Sequence, residues 1–248
     1  MADRPDWHGG KRMIALFAVT LFSALTACGR PLTETEKDFL SGIHGTQLNT
    51  RPIRFHDGNP GGQVTYQIPV RPRTTCQERI WPPQTETRTV TVSPGATALF
   101  HHVLFRKDLY LENYVPGWPK EIGLVQAMLL AHEATHIWQW QNRKRTGYTP
   151  LKALREHATQ ADPYLFEPDG KDRRFLDFGY EQQGAIVEEY VCCRLLDPSA
   201  KRTDRLRKLL SQELPISRLD EMLQHTQSVL LPWAGIPQSG ICEHQPGT

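Results

Sequence analysis

Leu129-Leu130-Ala131-His132-Glu133-Ala134-Thr135-His136-Ile137-Trp138-Gln139 is the stretch from which the rest of the chain can be read. His132 and His136 stand four residues apart, and on a helix that spacing brings both imidazoles to one face, within reach of a single zinc ion. Glu133 follows His132 directly, so it addresses a water on such an ion rather than the ion itself. Leu124, Met128, Leu129, Ala131 and Ile137 supply an apolar stripe, and Trp118-Pro119 offers a proline near the first helical position. Two imidazoles set into such a stripe are costly to bury unless something binds them. The reading is therefore a helix carrying two metal ligands, His132 and His136, and a catalytic base, Glu133.

A catalytic zinc takes three protein ligands and keeps one position open, so a third donor is needed. Extending the pattern to His-Glu-x-x-His-x-x-Gly-x-x-His requires glycine at 139 and histidine at 142. These positions hold Gln139 and Asn142, which excludes that class. The remaining donors are Glu156, Glu181, Glu188 and Glu189. Glu156 lies between Arg155 and His157, on what reads as a solvated helix face. Glu181 opens a second helical stretch, Tyr180 to Leu196, in which small Gly184 and Ala185 permit close approach to the first helix.

With these residues in hand, the sequence resembles the glutamate-zincin (gluzincin) class of metallopeptidases. More narrowly, it is similar to small bacterial zincin-like proteins in which His-Glu-x-x-His-x-Trp-Gln is followed by Glu-Gln-Gln-(Ala/Gly)-x-Ile-Val. The similarity covers roughly residues 97 to 193, and it implies that Glu181 is the third ligand. Neither a metzincin Met-turn nor a Gly-Thr-x-Asp element of the aspartate zincins is present. Glu188 and Glu189 fall two turns beyond Glu181, where one of them is expected to orient a histidine from outside the ligand set. Tyr148, His157, Tyr164 and Tyr180 are candidates for donating a hydrogen bond to a developing oxyanion.

Upstream, Lys11 and Arg12 precede an apolar run from Met13 to Leu25 that closes in Leu25-Thr26-Ala27-Cys28. At about a dozen residues the run is short for a membrane span. The ending resembles a bacterial lipobox, which implies a signal peptide over 1–27 and lipidation at Cys28. Gly29 after the cysteine resembles outer-membrane sorting, facing the periplasm or the cell surface. Residues 28–60 read as a polar, turn-rich tether and N-terminal wrap, with His44 and His56 on the surface, and residues 61–248 as one domain. The 29 basic residues of the full chain against 27 acidic ones give no charge excess to argue for nucleic acid.

Val64–Val70 and Arg88–Val92 alternate like strands, and Ala98–Phe105 is a third strand candidate whose sheet edge, over residues 99–105, is placed to hold an extended peptide. His101 and His102, adjacent on a strand, point to opposite faces and cannot share one ion. Helices are expected near 150–160, 201–213 and 216–231. Together with the resemblance, this implies an α+β, zincin-like domain: a small mixed or antiparallel sheet packed on the His-Glu-x-x-His helix, then a mainly helical C-terminal part. Beyond Cys28 the cysteines are Cys76, Cys192, Cys193 and Cys242, an even number for an oxidising compartment, and Cys76 and Cys242 are expected to tie one each to the adjacent pair. The functional expectation is a zinc-dependent endopeptidase acting on a peptide or protein and held to the bacterial envelope by its lipid. The alternatives are a non-catalytic zincin-like envelope lipoprotein that binds a partner or the cell wall, and a zinc amidase of peptidoglycan.

Overall fold

The computed structural model describes residues 29–243 except 60, 61, 63, 64, 84–87, 161, 167–172, 238 and 239. The lipobox and Cys28 lie outside the described residues. The protein is an α+β domain organised around the helix α3. In chain order the elements are α1 (Glu34–His44), β1 (Arg54–Asp57), β2 (Tyr66–Pro69), α2 (Cys76–Arg79), β3 (Thr89–Val92), β4 (Ala96–Leu99) and β5 (His102–Phe105). They continue with β6 (Glu121–Gly123), α3 (Leu124–Gln141), α4 (Arg143–Thr146), α5 (Pro150–Thr159), α6 (Tyr180–Leu196), α7 (Lys201–Leu210), α8 (Ile216–Leu223) and β7 (Ser228–Leu230).

Helix α3 is buried on nearly every side: Leu130, Ala131, Ala134, Ile137 and Trp138 are at or near zero exposure, and its His132, Glu133, Thr135, His136 and Gln139 are buried with them. Its main partner is α6, which buries Ala185, Ile186, Val187 and Tyr190. Gly184 lets the two helices meet, since a Cβ there would stand 2.9 Å from the His132 ring. Trp118-Pro119 does not open α3 as expected. It is a cis peptide in the turn before β6, and the helix begins after Gly123.

Three small sheets flank this helix pair. One has the order β1-β5-β4, with β1 parallel and β4 antiparallel to β5. The second is the β2–β3 hairpin, in which Ile68 faces Val90. The third pairs β6 with β7 in parallel. The expected single strand over 98–105 is instead two strands, because Phe100 takes a left-handed turn (φ 58°) between β4 and β5. The helix expected over 216–231 stops at Leu223, since Ser228–Leu230 pairs with β6.

Residues 30–57 are more than a tether. Thr33 and Glu36 form a capping box that starts α1, and Phe39, Leu40 and Ile43 then enter the core against α8. Glu36 is fully buried yet satisfied, by a bidentate pair with Arg30 at 2.8 and 2.9 Å and by the Tyr114 amide at 3.0 Å. His44 and His56, expected at the surface, are both buried, His44 completely and His56 on β1. Two disulfides, Cys76–Cys192 and Cys193–Cys242, tie α2 and the C-terminal segment to the end of α6, one bridge to each member of the adjacent pair. No helix among the described residues is long and apolar enough to cross a membrane.

Candidate metal centre

The α3–α6 crossing brings His132, His136 and Glu181 to one point, all three buried. His132 Nε2 lies 3.1 Å from His136 Nε2, and Glu181 Oε2 lies 3.3 Å from the first and 3.2 Å from the second. Donors at the corners of a tetrahedron, about 2.0–2.1 Å from a zinc ion, stand about 3.3 Å apart. The observed triangle therefore fits one metal ion without rearrangement.

Each ligand is held from behind. His132 Nδ1 donates to Glu188 Oε2 at 3.1 Å and His136 Nδ1 to Gln139 Oε1 at 3.0 Å, a tautomer assignment that leaves both Nε2 lone pairs facing the shared point. The amide nitrogen of Gln139 in turn donates to Tyr180 O and to Gln183 Oε1, both at 3.0 Å, so its oxygen is fixed toward His136. Glu188 is steadied by Gln77 Nε2 at 3.0 Å. The second oxygen of Glu181 accepts from His157 Nε2 at 2.9 Å.

The electrostatics at this point favour positive charge. Burial alone would raise the Glu181 pKa, but the charge of His136 and hydrogen bonds from His132, His136 and His157 outweigh it and hold the carboxyl well below its usual range. Burial would likewise depress the two imidazoles; their bonds to Glu181, and for His132 to Glu188, lift both above the ordinary value. Glu133 shows the opposite balance, for burial pushes its carboxyl up against the pull of His132 and His136. Its Oε2 has no hydrogen-bond partner among the described residues although it is buried, and the residue lines the same cleft as His132. A buried carboxylate oxygen left unbonded beside a metal-shaped triangle suits a group that acts on a bound water or a substrate.

Glu156, the rival third ligand, is placed elsewhere. Its Oε2 accepts the amides of Tyr180 (2.8 Å) and Glu181 (3.4 Å), so it caps α6 and aims the Glu181 side chain instead of joining it. Gly179 leaves room for this cap, since a Cβ there would stand 3.3 Å from the Glu156 carboxylate, a tight contact. Of the paired glutamates, Glu188 reaches His132, while Glu189 turns away to bind the amides of Cys76 and Gln77 and the Arg202 guanidinium. His101 and His102 stay out of the centre; His102 Nδ1 bonds His56 Nε2 at 2.9 Å.

A cleft of about 740 Å³ opens onto this centre, lined by His132, Glu133, His157, Tyr164 and Glu188 on one side and by the β2–β3 hairpin on the other. Among the oxyanion candidates, His157 and Tyr164 line the cleft, whereas Tyr180 faces a separate hollow with Glu156. Tyr148 is buried edge-on against Tyr180. The ring of Tyr164 sits 5.8 Å from those of His132 and His157, beneath the Arg71 guanidinium. Arg71 grips Asp162 through two bonds of 2.5 and 2.8 Å, which fixes the Tyr164 loop across the cleft. The sheet edge at the cleft is β4, not the expected 99–105 segment: β5 is central, between β1 and β4, and Ser93 to Ala96 form the rim. Gln77 and Arg71 carry no motif of their own, whereas Gln139 closes the His-Glu-x-x-His-x-Trp-Gln pattern one turn beyond His136 on the same helix.

Fold and site together define an α+β domain with a buried His–His–Glu group that can hold a metal ion. No protein-family model and no curated protein matches the sequence. Among solved structures the chain is similar to the effector domain of Pseudomonas aeruginosa VgrG2b, with 20% sequence identity over 73% of this chain and 87% of that one and a TM-score of 0.44.

Proposed function

We propose that this chain is a zinc-dependent peptidase of the gluzincin type, tethered by lipid at Cys28 to the bacterial envelope. The observation that carries the reading is the triangle of 3.1–3.3 Å between two Nε2 atoms and one carboxylate oxygen, beside a buried and unbonded Glu133 Oε2 at an open cleft. A purely structural zinc site closes its fourth position with protein and has no use for a glutamate between the histidines. Zinc, when bound by His132, His136 and Glu181, supplies Lewis acidity and a water that loses its proton near neutral pH.

The remaining steps belong to the chain. Glu133 takes a proton from water as the water oxygen bonds to the scissile carbonyl carbon. It then delivers that proton to the nitrogen as the carbon–nitrogen bond breaks, so amide and water become acid and amine. The raised Glu133 pKa suits a group that must both accept and return a proton. His157 and Tyr164 line the cleft and are the candidates for stabilising the carbonyl oxygen as charge develops on it. The test is Glu133→Gln in zinc-loaded protein offered a broad peptide library. Retained zinc and fold with hydrolysis lowered about 10²- to 10⁴-fold is the expected result. Full activity in that variant would remove the peptidase reading and leave a metal-binding envelope lipoprotein.

A further inference from the structure

The β2–β3 hairpin turns an apolar face to the cleft. Ile68, Val70, Val90 and Val92 are half-buried and line the cleft, yet none is among the described side chains of the core or those packed against it. Leu129 of α3 looks across at them from beside His132 and Glu133, and Trp81, 43% exposed, stands at the outer rim. A two-stranded sheet is marginal on its own in water, so an apolar face held open over a cleft is built to be covered by what enters.

The charges of the cleft narrow the occupant. Arg71 is neutralised by Asp162 and Glu78, and Arg73 turns its guanidinium to the carbonyls of Glu78, Arg79 and Trp81. With both guanidiniums engaged and Glu133 and Glu188 facing the same space, the cleft is poorly suited to a carboxylate-rich cell-wall stem peptide. The rim at Ser93 to Ala96 runs into the edge strand β4, which offers backbone hydrogen bonds to an extended chain.

We propose that the β2–β3 hairpin is a specificity wall, and that the substrate is an extended polypeptide bearing a bulky aliphatic or aromatic side chain next to the scissile amide bond. The proposal rests on the peptidase reading and deepens it. Its test is binding to the full chain carrying Glu133→Gln, loaded with zinc. The probes are Ala/Gly decapeptides with one central Leu or Phe, the same peptides with Ser or Asp, and a disaccharide–tripeptide muropeptide. Leu and Phe peptides are expected to bind about 10- to 100-fold tighter than the Ser peptide, the effect of burying one large apolar side chain. Adding Val90→Asp, or Trp81→Ala should the aspartate disturb folding, is expected to erase most of that ratio at unchanged zinc content. Equal binding of Leu and Ser peptides, a ratio that survives both substitutions, or tighter binding of the muropeptide would overturn the proposal. The two readings fail separately. Hydrolysis by the unaltered chain without apolar preference sinks the specificity wall alone, whereas preference in binding with no peptide cut upholds the wall and sinks the peptidase.

Discussion

Helix α3 buries histidines on two sides and treats them in opposite ways. On the α6 side, every ring nitrogen of His132 and His136 has a partner, and the surrounding carboxylates lift both pKa values. On the far side, His44 stacks on Trp138 with neither nitrogen bonded among the described residues, and burial pushes its pKa down to about 3. The same side chain, equally removed from water, is thus charge-seeking in a group that can hold a metal ion and a neutral aromatic filler in the other place. What separates them is the neighbour. Glu181 and Glu188 come from α6, whereas α1 brings Phe39, Leu40 and Ile43 to the region of His44.

The largest expected effect breaks the α6 side outright. Replacing His132, His136 or Glu181 by Ala removes one corner of the triangle, and each variant should lose its stoichiometric zinc in metal analysis together with any peptide hydrolysis. A Glu181→Ala chain that keeps zinc at normal affinity would dissolve the contrast between the two sides of α3.

Next comes the bridge that fastens the frame of that side. Cys76–Cys192 closes a 116-residue span and holds α2, whose Gln77 supports Glu188 behind His132. Changing both cysteines to Ala should lower stability in urea unfolding by about 4 kcal/mol, toward the upper end of what such bridges contribute. Zinc affinity should fall with it. The response attributable to His44 should not, because no contact of that bridge reaches the far side. Smaller again is Glu188→Ala, which leaves all three ligands in place but frees His132 Nδ1; zinc should bind about 10- to 100-fold more weakly in chelator competition.

The two sides also differed in how much of them the sequence disclosed. His132, Glu133 and His136 were legible because a metal imposes spacing on a single helix, and the structure brings Glu181, the donor implied by the resemblance, to the same point. The helices α3, α5 and α6 and the one-to-one tie of Cys76 and Cys242 to the adjacent cysteines followed equally from local pattern. What stayed hidden was set by partners distant in sequence. Glu156 became a helix cap because Gly179 leaves room for its carboxylate, and Gln77 reaches Glu188 across 111 residues. Residues 28–60 looked like a tether because the stretch is polar and turn-rich, yet Glu36 is buried by pairing with Arg30 and the amide of Tyr114. For His44 a signal was present. It continues the Phe39, Leu40, Ile43 stripe at helical spacing, which marks a buried position whatever the residue type.

The smallest predicted effect sharpens the far side through pH. The folded His44 pKa, about 3, lies below the value near 6.5 of an unfolded chain. Between those limits the unfolded state binds the proton and the folded state does not, so stability falls as pH drops below about 6.5, by up to about 1.4 kcal/mol per pH unit. The raised imidazoles of the metal centre act with the opposite sign: in metal-free protein their contribution is present below 6.5 and is lost as pH rises through their folded values. His56, His101 and His102 share the downward direction of His44, so the slope of the unaltered protein is a sum. A difference measurement isolates the one ring. His44→Phe keeps an aromatic of similar size against Trp138, and urea unfolding at pH 7 should match the parent within about 1 kcal/mol. At pH 5.5 the variant should have gained on the parent by about 1.4 kcal/mol relative to their difference at pH 7, and at pH 5 by about 2 kcal/mol. Parallel stability curves from pH 7 to pH 5 would mean that His44 takes up its proton in the folded state, and the two sides of α3 would then differ in partners but not in charge.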